Sequence, residues 1–253
     1  MAPIMEALSE SMHEDYSFLK FIIYSIPIHY VLALHLSGRH AYALFFDILL
    51  AILIAGLLAQ GINNVRRNRT YILSIKPAEL SKSCAKSTAV LLPVGLICWF
   101  IGFSICKIPI PVNIPYFSSV VHIIIWTILF SLIITSFLSF AKYLKMKEAF
   151  KIKLIIDSCI DVLISILSYI PIITLINIFL IGPILYMLHI FEISYSNWLF
   201  VEYCSIIFVI DISVSAIYLA QTAYEQIKGN NEEYDDIHQI DLFNDSIERI
   251  TKN

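Results

Sequence analysis

The sequence predicts an all-α fold: an integral membrane helical bundle of six transmembrane helices, with seven as the alternative and no soluble domain. Two observations predict it. Of 253 residues 58% are hydrophobic and 15% charged, with a mean hydropathy of +0.79, against roughly 25% charged in a soluble domain. Apolar stretches long enough for the ~20 helical residues that cross a bilayer core recur at 18–36, 41–62, 88–106, 117–141, 154–190 and 198–220. The chain divides into an N-terminal cytoplasmic or interfacial segment (1–17), a polytopic domain (18–224) and an acidic C-terminal tail (225–253).

The N-terminal segment is acidic, with Glu6, Glu10, Glu14 and Asp15 before Lys20, whereas a signal peptide opens with a basic region. Residues 18–36 are therefore expected as a retained first span. Ile4, Leu8 and Met12 repeat every four residues and predict an interfacial helix. The second span, 41–62, runs into a basic loop at 63–86 carrying Arg66, Arg67, Arg69, Lys76, Lys82 and Lys86 against Glu79. Within it Pro77 suits a first helical turn, Ser74 its cap, and Leu80 and Cys84 one side of a short helix along the interface.

The third and fourth spans, 88–106 and 117–141, are joined by a stretch with prolines at 109, 111 and 115, a stiff extended connector. A second basic loop, 142–153, holds Lys142, Lys145, Lys147, Lys151 and Lys153 against Glu148. The two basic loops contain eleven of the 17 Lys and Arg residues. Because basic residues stay on the cytoplasmic side of short loops, both loops and both termini are expected in the cytoplasm, and the chain in the cytoplasmic (inner) cell membrane.

The run 154–190 exceeds one ordinary span and barely suffices for two. Six spans are chosen, with one crossing and a bent or re-entrant second half around Pro171 and Gly182-Pro183. Two crossings would give seven spans and put the tail outside. The last span, 198–220, leads into the tail, where eight acids face three bases and Ile240, Leu242, Phe243, Ile247 and Ile250 outline a short amphipathic partner helix.

Ionisable groups in hydrocarbon cost ~2.5 kcal/mol or more and mark candidate pathways. Asp157 and Glu202 lie near an interface, Asp47 and Asp161 deeper, and Asp211 and His29 nearest the centres of their helices; His122 and His189 complete the set. Asp161, Asp211, His29, Asp47 and Asp157 form the candidate polar or ion pathway. Lys153, Asp157 and Asp161 share one face at four-residue steps, which predicts a Lys153–Asp157 ion pair. The sharper reading sends Asp161 to Asp211 or His29 in a cavity. Asp47–Leu53 echoes Asp161–Leu167, as inverted repeats of transporters would.

Gly61–Asn68 at the end of the second span, then Pro77, Pro93, Lys147–Phe150 and Ala220–Tyr224 fall in an order that resembles a family of uncharacterised polytopic membrane proteins of bacteria and archaea, a conserved membrane domain of unknown function covering about 18–225. The resemblance implies a helical membrane fold and no activity.

No nucleophile–base, P-loop, zincin or dinucleotide motif is present, so an enzyme is not expected. Five scattered cysteines without a CxxC or Cys/His cluster predict no disulfide framework, metal or cofactor. A net charge of −3 and basic residues confined to short loops argue against nucleic acid. The expected partners are the lipid bilayer and a cytoplasmic protein, an ATPase or other, at the basic loops (Arg66, Arg67, Arg69, Lys145, Lys147) or the acidic tail. Two functions remain: a transporter or permease subunit for a small solute or ion, or a non-catalytic membrane scaffold or sensor acting through its tails.

Overall fold

The computed structural model describes residues 16–66, 76–107, 117–192 and 197–227, together with 9, 13, 73 and 194. Six long helices account for nearly all of them: α1 (Ser17–Leu36), α2 (His40–Arg66), α3 (Pro77–Cys106), α4 (Phe117–Tyr143), α5 (Ile152–Ile190) and α6 (Trp198–Gln226). A short 3₁₀ turn, Met146–Phe150, links α4 to α5. All six helices are long and apolar enough to cross a membrane, and no strand occurs among the described residues. The protein is a helical membrane protein.

Local sequence sets the corners. Between α1 and α2 the chain reverses on Gly38, whose φ of 74° is the left-handed conformation glycine adopts freely. Gly38 N–H donates to the His35 carbonyl at 3.1 Å and Arg39 N–H to the Leu34 carbonyl at 3.1 Å, the paired bonds of a Schellman ending. At the start of α6 the Asn197 side chain accepts from Leu199 N–H at 3.0 Å and caps the helix.

Two sequence expectations are corrected here. The first is the short interfacial helix at Pro77. Pro77 does open a helix, but on Lys76 and without a side-chain cap. Nothing between Cys84 and the third span breaks the helix, so one rod runs from Pro77 to Cys106, exposed over Pro77–Glu79 and buried on one side from Ser83 onward. The second is the irregular half of the long run. Residues Ile152–Ile190 form one uninterrupted α-helix containing both Pro171 and Pro183, about 58 Å long at 1.5 Å per residue. A proline removes one backbone donor, whereas unwinding the segment in hydrocarbon would strand several, so the helix persists. The run is a single rod that keeps one direction, consistent with the six-span reading.

Helices α2, α4 and α6 each touch four of the other helices: α2 touches α1, α3, α4 and α6, α4 touches α2, α3, α5 and α6, and α6 touches α1, α2, α4 and α5. Small residues permit this. A Cβ on Gly56 would fall on Cys84 Sγ and lie 3.0 Å from Cys84 Cα, so only glycine lets α2 and α3 approach this closely; beside it Ser87 Oγ donates to the Ala55 carbonyl at 3.3 Å. Gly102 does the same where α3 meets Trp126 and Leu129 of α4.

The largest buried core cluster among the described residues lies at the end of the bundle that carries the basic loops. Ala59, Ile62, Val90, Phe140, Val162 and Ala223 come together there from five helices. Polar links surround it: Asn63 Nδ2 donates to the Lys142 carbonyl at 3.0 Å, Lys142 Nζ to the Ile227 carbonyl at 3.0 Å, Lys86 Nζ to the Leu144 carbonyl at 3.3 Å and Ser136 Oγ to the Ala149 carbonyl at 2.8 Å. Arg66 lies over the Tyr143 ring, 4.6 Å from its centroid, and Lys151 pairs with Glu148 at 2.6 Å. Lys145 and Lys147 remain exposed. The loop is not wholly peripheral, since Leu73 is buried against Phe21, Leu57 and Val209. Arg67, Arg69, the 4–12 stripe and the tail beyond Ile227 lie outside the described residues.

Candidate functional site

The site forms where α5 meets α6. On α6, Asp211, Ser215 and Tyr218 stand at steps of four and three residues and therefore face one way. On α5, Ser165, Tyr169, Asn177 and Leu180 lie along the side that meets them. The antiparallel register joins the two sets in order. Tyr218 hydroxyl donates to the Ser165 carbonyl at 2.8 Å. Tyr169 and Ser215 hydroxyls lie 2.9 Å apart. Asn177 Nδ2 donates to Asp211 Oδ2 at 2.7 Å, and Tyr203 hydroxyl donates to the Leu180 carbonyl at 3.0 Å. The Tyr169 and Tyr218 rings stack with centroids 4.4 Å apart. The result is a polar seam through an otherwise apolar interface.

Asp211 is the fourteenth of the 29 residues of α6, at mid-helix. Among the described residues no Lys, Arg or His forms an ion pair with it. Its amide partner is also incomplete, because Asn177 Oδ1 is buried without a hydrogen bond. A carboxylate and an unsatisfied amide oxygen are both acceptors, and a buried acceptor without a donor is costly. Together they present oxygen ligands that a proton or a small cation would satisfy.

A second carboxylate of α6 faces the opposite neighbour. Glu202 stands nine residues before Asp211, two and a half helical turns, and so points to α1. There its Oε2 lies 2.8 Å from His29 Nδ1, and its Oε1 accepts from Ser25 Oγ at 2.6 Å. On the next helix pair, His35 Nε2 lies 3.0 Å from both carboxylate oxygens of Asp47.

The structure thus separates residues that the sequence had grouped. His29 meets Glu202 rather than Asp161. Asp47 meets His35. Asp157 and Asp161 are exposed on α5, away from Asp211, and Lys153 forms no ion pair with either among the described residues. The rotation of α5 explains this: it turns Tyr169 and Asn177 to α6 and leaves the 153–157–161 face outward. Glu202, near an interface by its position in the sequence, has two partners here, and Asn177 is not among the ionisable candidates. The available signal was the match of two polar periodicities, Ser165, Tyr169 and Asn177 against Asp211, Ser215 and Tyr218.

No family model matches the chain, and no curated protein or solved structure matches it.

Proposed function

We propose that this membrane protein is a transporter or permease subunit that moves a small solute or ion, with Asp211 and Asn177 as its intramembrane binding groups. One observation carries the reading: a mid-helix carboxylate has an asparagine, not a cation, as its partner, and that asparagine retains a buried oxygen without a donor. A purely structural polar contact in hydrocarbon would be expected to close its hydrogen bonds. The weak burial of α5, of whose most apolar stretch 6% is buried, supports a seam able to open. In this proposal the protein lies in the cytoplasmic membrane with the basic loops and both termini inside, performs no catalysis of its own and offers its basic end to a cytoplasmic partner. The resemblance to uncharacterised polytopic proteins belongs to the same proposal.

The test is flux in liposomes containing the purified protein, under imposed H⁺, Na⁺, K⁺ and Cl⁻ gradients. Wild-type protein and Asp161→Asn are expected to conduct one of these ions, and Asp211→Asn to lose it while inserting normally. Wild-type flux no greater than that of empty liposomes, or wild-type flux in Asp211→Asn, overturns the reading.

A further inference from the structure

The chain leaves the bundle at its basic end. Ile227, the residue after α6, is buried, and its carbonyl accepts from Lys142 Nζ at 3.0 Å, so the tail starts against the end of α4. Lys142 Nζ lies 5.4 Å from the centroid of the Tyr143 ring and Arg66 Cζ 4.6 Å from the same centroid. Taken through the ring, these distances place the guanidinium no more than about 13 Å from the Ile227 carbonyl. Beside it Lys86 Nζ reaches the Leu144 carbonyl at 3.3 Å, and Lys145 and Lys147 are exposed on the turn that follows. Neighbouring acids leave these charges unanswered: Glu148 is taken by Lys151 at 2.6 Å and Glu79 by Lys76 at 3.4 Å. Arg66 Nη1 is buried without a hydrogen bond, although a guanidinium is a fork of donors shaped for a carboxylate.

We propose that the acidic block at 232–236 of the C-terminal tail docks on this basic face of its own chain, its carboxylates against Arg66, Lys86, Lys145 and Lys147. Charge selects the occupant. Beyond Ile227 the tail has seven acids against three bases, and four of the acids, Glu232, Glu233, Asp235 and Asp236, stand in that block. They meet four basic side chains. Reach allows it: Glu232 is five residues past Ile227, and an extended chain covers ~3.3–3.6 Å per residue, about 17 Å in all. The tether supplies what single contacts lack. Exposed ion pairs are individually weak, but so short a linker holds the block at a millimolar effective concentration, and several pairs then form together.

The other acidic segment of the chain, 1–15, leads into α1, which packs on α2 and α6, whereas the tail starts on Lys142 of α4 itself. Anionic headgroups can reach exposed lysines too, but nothing tethers them there. The docked block covers the face that the proposed function offers to a cytoplasmic partner, so such a partner has to displace it: the contact is autoinhibitory. It stands apart from the transport reading, since it shares no side chain with Asp211 and Asn177, and either can fail alone.

The test uses the full chain, one copy per phosphatidylcholine nanodisc, carrying Tyr234→p-benzoylphenylalanine as a photocrosslinker, with adducts mapped by mass spectrometry. At 150 mM NaCl the adducts are expected on residues 66, 86 and 142–147 of the same chain. In 1 M NaCl, where the screening length shrinks to about 3 Å, their yield should fall about fivefold or more. Neutralising the block (Glu232→Gln, Glu233→Gln, Asp235→Asn and Asp236→Asn together) should give the same loss, and because it touches nothing in the bundle, folding does not confuse the result. Arg66→Gln with Lys145→Gln and Lys147→Gln should match it from the other side. Adducts confined to lipid or to residues 1–15, adducts scattered over the chain, or a yield that neither salt nor neutralisation lowers would each overturn the proposal.

Discussion

Helices α5 and α6 look alike as sequence and behave oppositely in the structure. Both are long, both are apolar and both carry aspartate. Yet half of the most apolar stretch of α6 is buried, against 6% in α5. In water the more hydrophobic helix would be drawn inward, but in a bilayer lipid tails solvate an apolar side chain as well as protein does. Position is therefore decided by small residues and polar links. The buried positions of α6 include Ser205, Ser213, Ala216, Ala220 and Ala223, which admit close neighbours, whereas α5 shows isoleucine, leucine and phenylalanine to the outside. What α5 does share with α6 is the polar seam.

The largest effect that sharpens this contrast is functional. Asp211→Asn on α6 should abolish ion flux, while Asp161→Asn on α5 leaves it near wild type; equal losses in the two liposome assays would break the distinction between a half-buried, asparagine-bonded aspartate and an outward one. Next comes backbone approach. Gly56→Val, which would drive a side chain onto Cys84, should destabilise the bundle by about 3 kcal/mol, read as a lowered thermal midpoint in detergent. Gly182→Ala on α5 meets nothing within 4 Å and should be neutral or stabilising by about 0.5–1 kcal/mol through helix propensity.

Side-chain truncation gives a smaller separation. Ile217→Ala on α6, 2% exposed, should cost about 2 kcal/mol in lost packing, and Phe179→Ala on α5, 76% exposed, close to none. A comparable cost in both would show that α5 is covered by something beyond lipid. Smallest is the polar tie at the basic end. Lys142→Met should cost about 1–2 kcal/mol by leaving the Ile227 carbonyl without this donor, with increased proteolysis near residue 227 as the readout, whereas Lys153→Met on the outward face of α5 should change neither.

These contrasts separate what was legible from what was not. The seam itself was half visible: Asp211 stood out because a charge at mid-span is expensive, but Asn177 is uncharged and drew no attention. His29 was singled out by depth and given the wrong neighbour, because the sequence does not say that α1 lies on α6. Glu202, four residues into its helix, seemed close enough to water to need no partner, yet it has two.

By itself the sequence determined six helices long and apolar enough to cross a membrane and the clustering of basic residues in two loops, though not that the third begins at Pro77. These follow from hydropathy and charge summed along the chain, quantities that need no neighbour. Only the tertiary structure decided that Ile152–Ile190 is one rod, that α2, α4 and α6 each pack against four neighbours, and that Asp211 meets Asn177 while Asp161 looks outward. The physical reason is the solvent: where every helix surface is apolar, the rotation of each helix is set by close approach at residues such as Gly56 and by a few polar contacts, and both depend on what lies opposite.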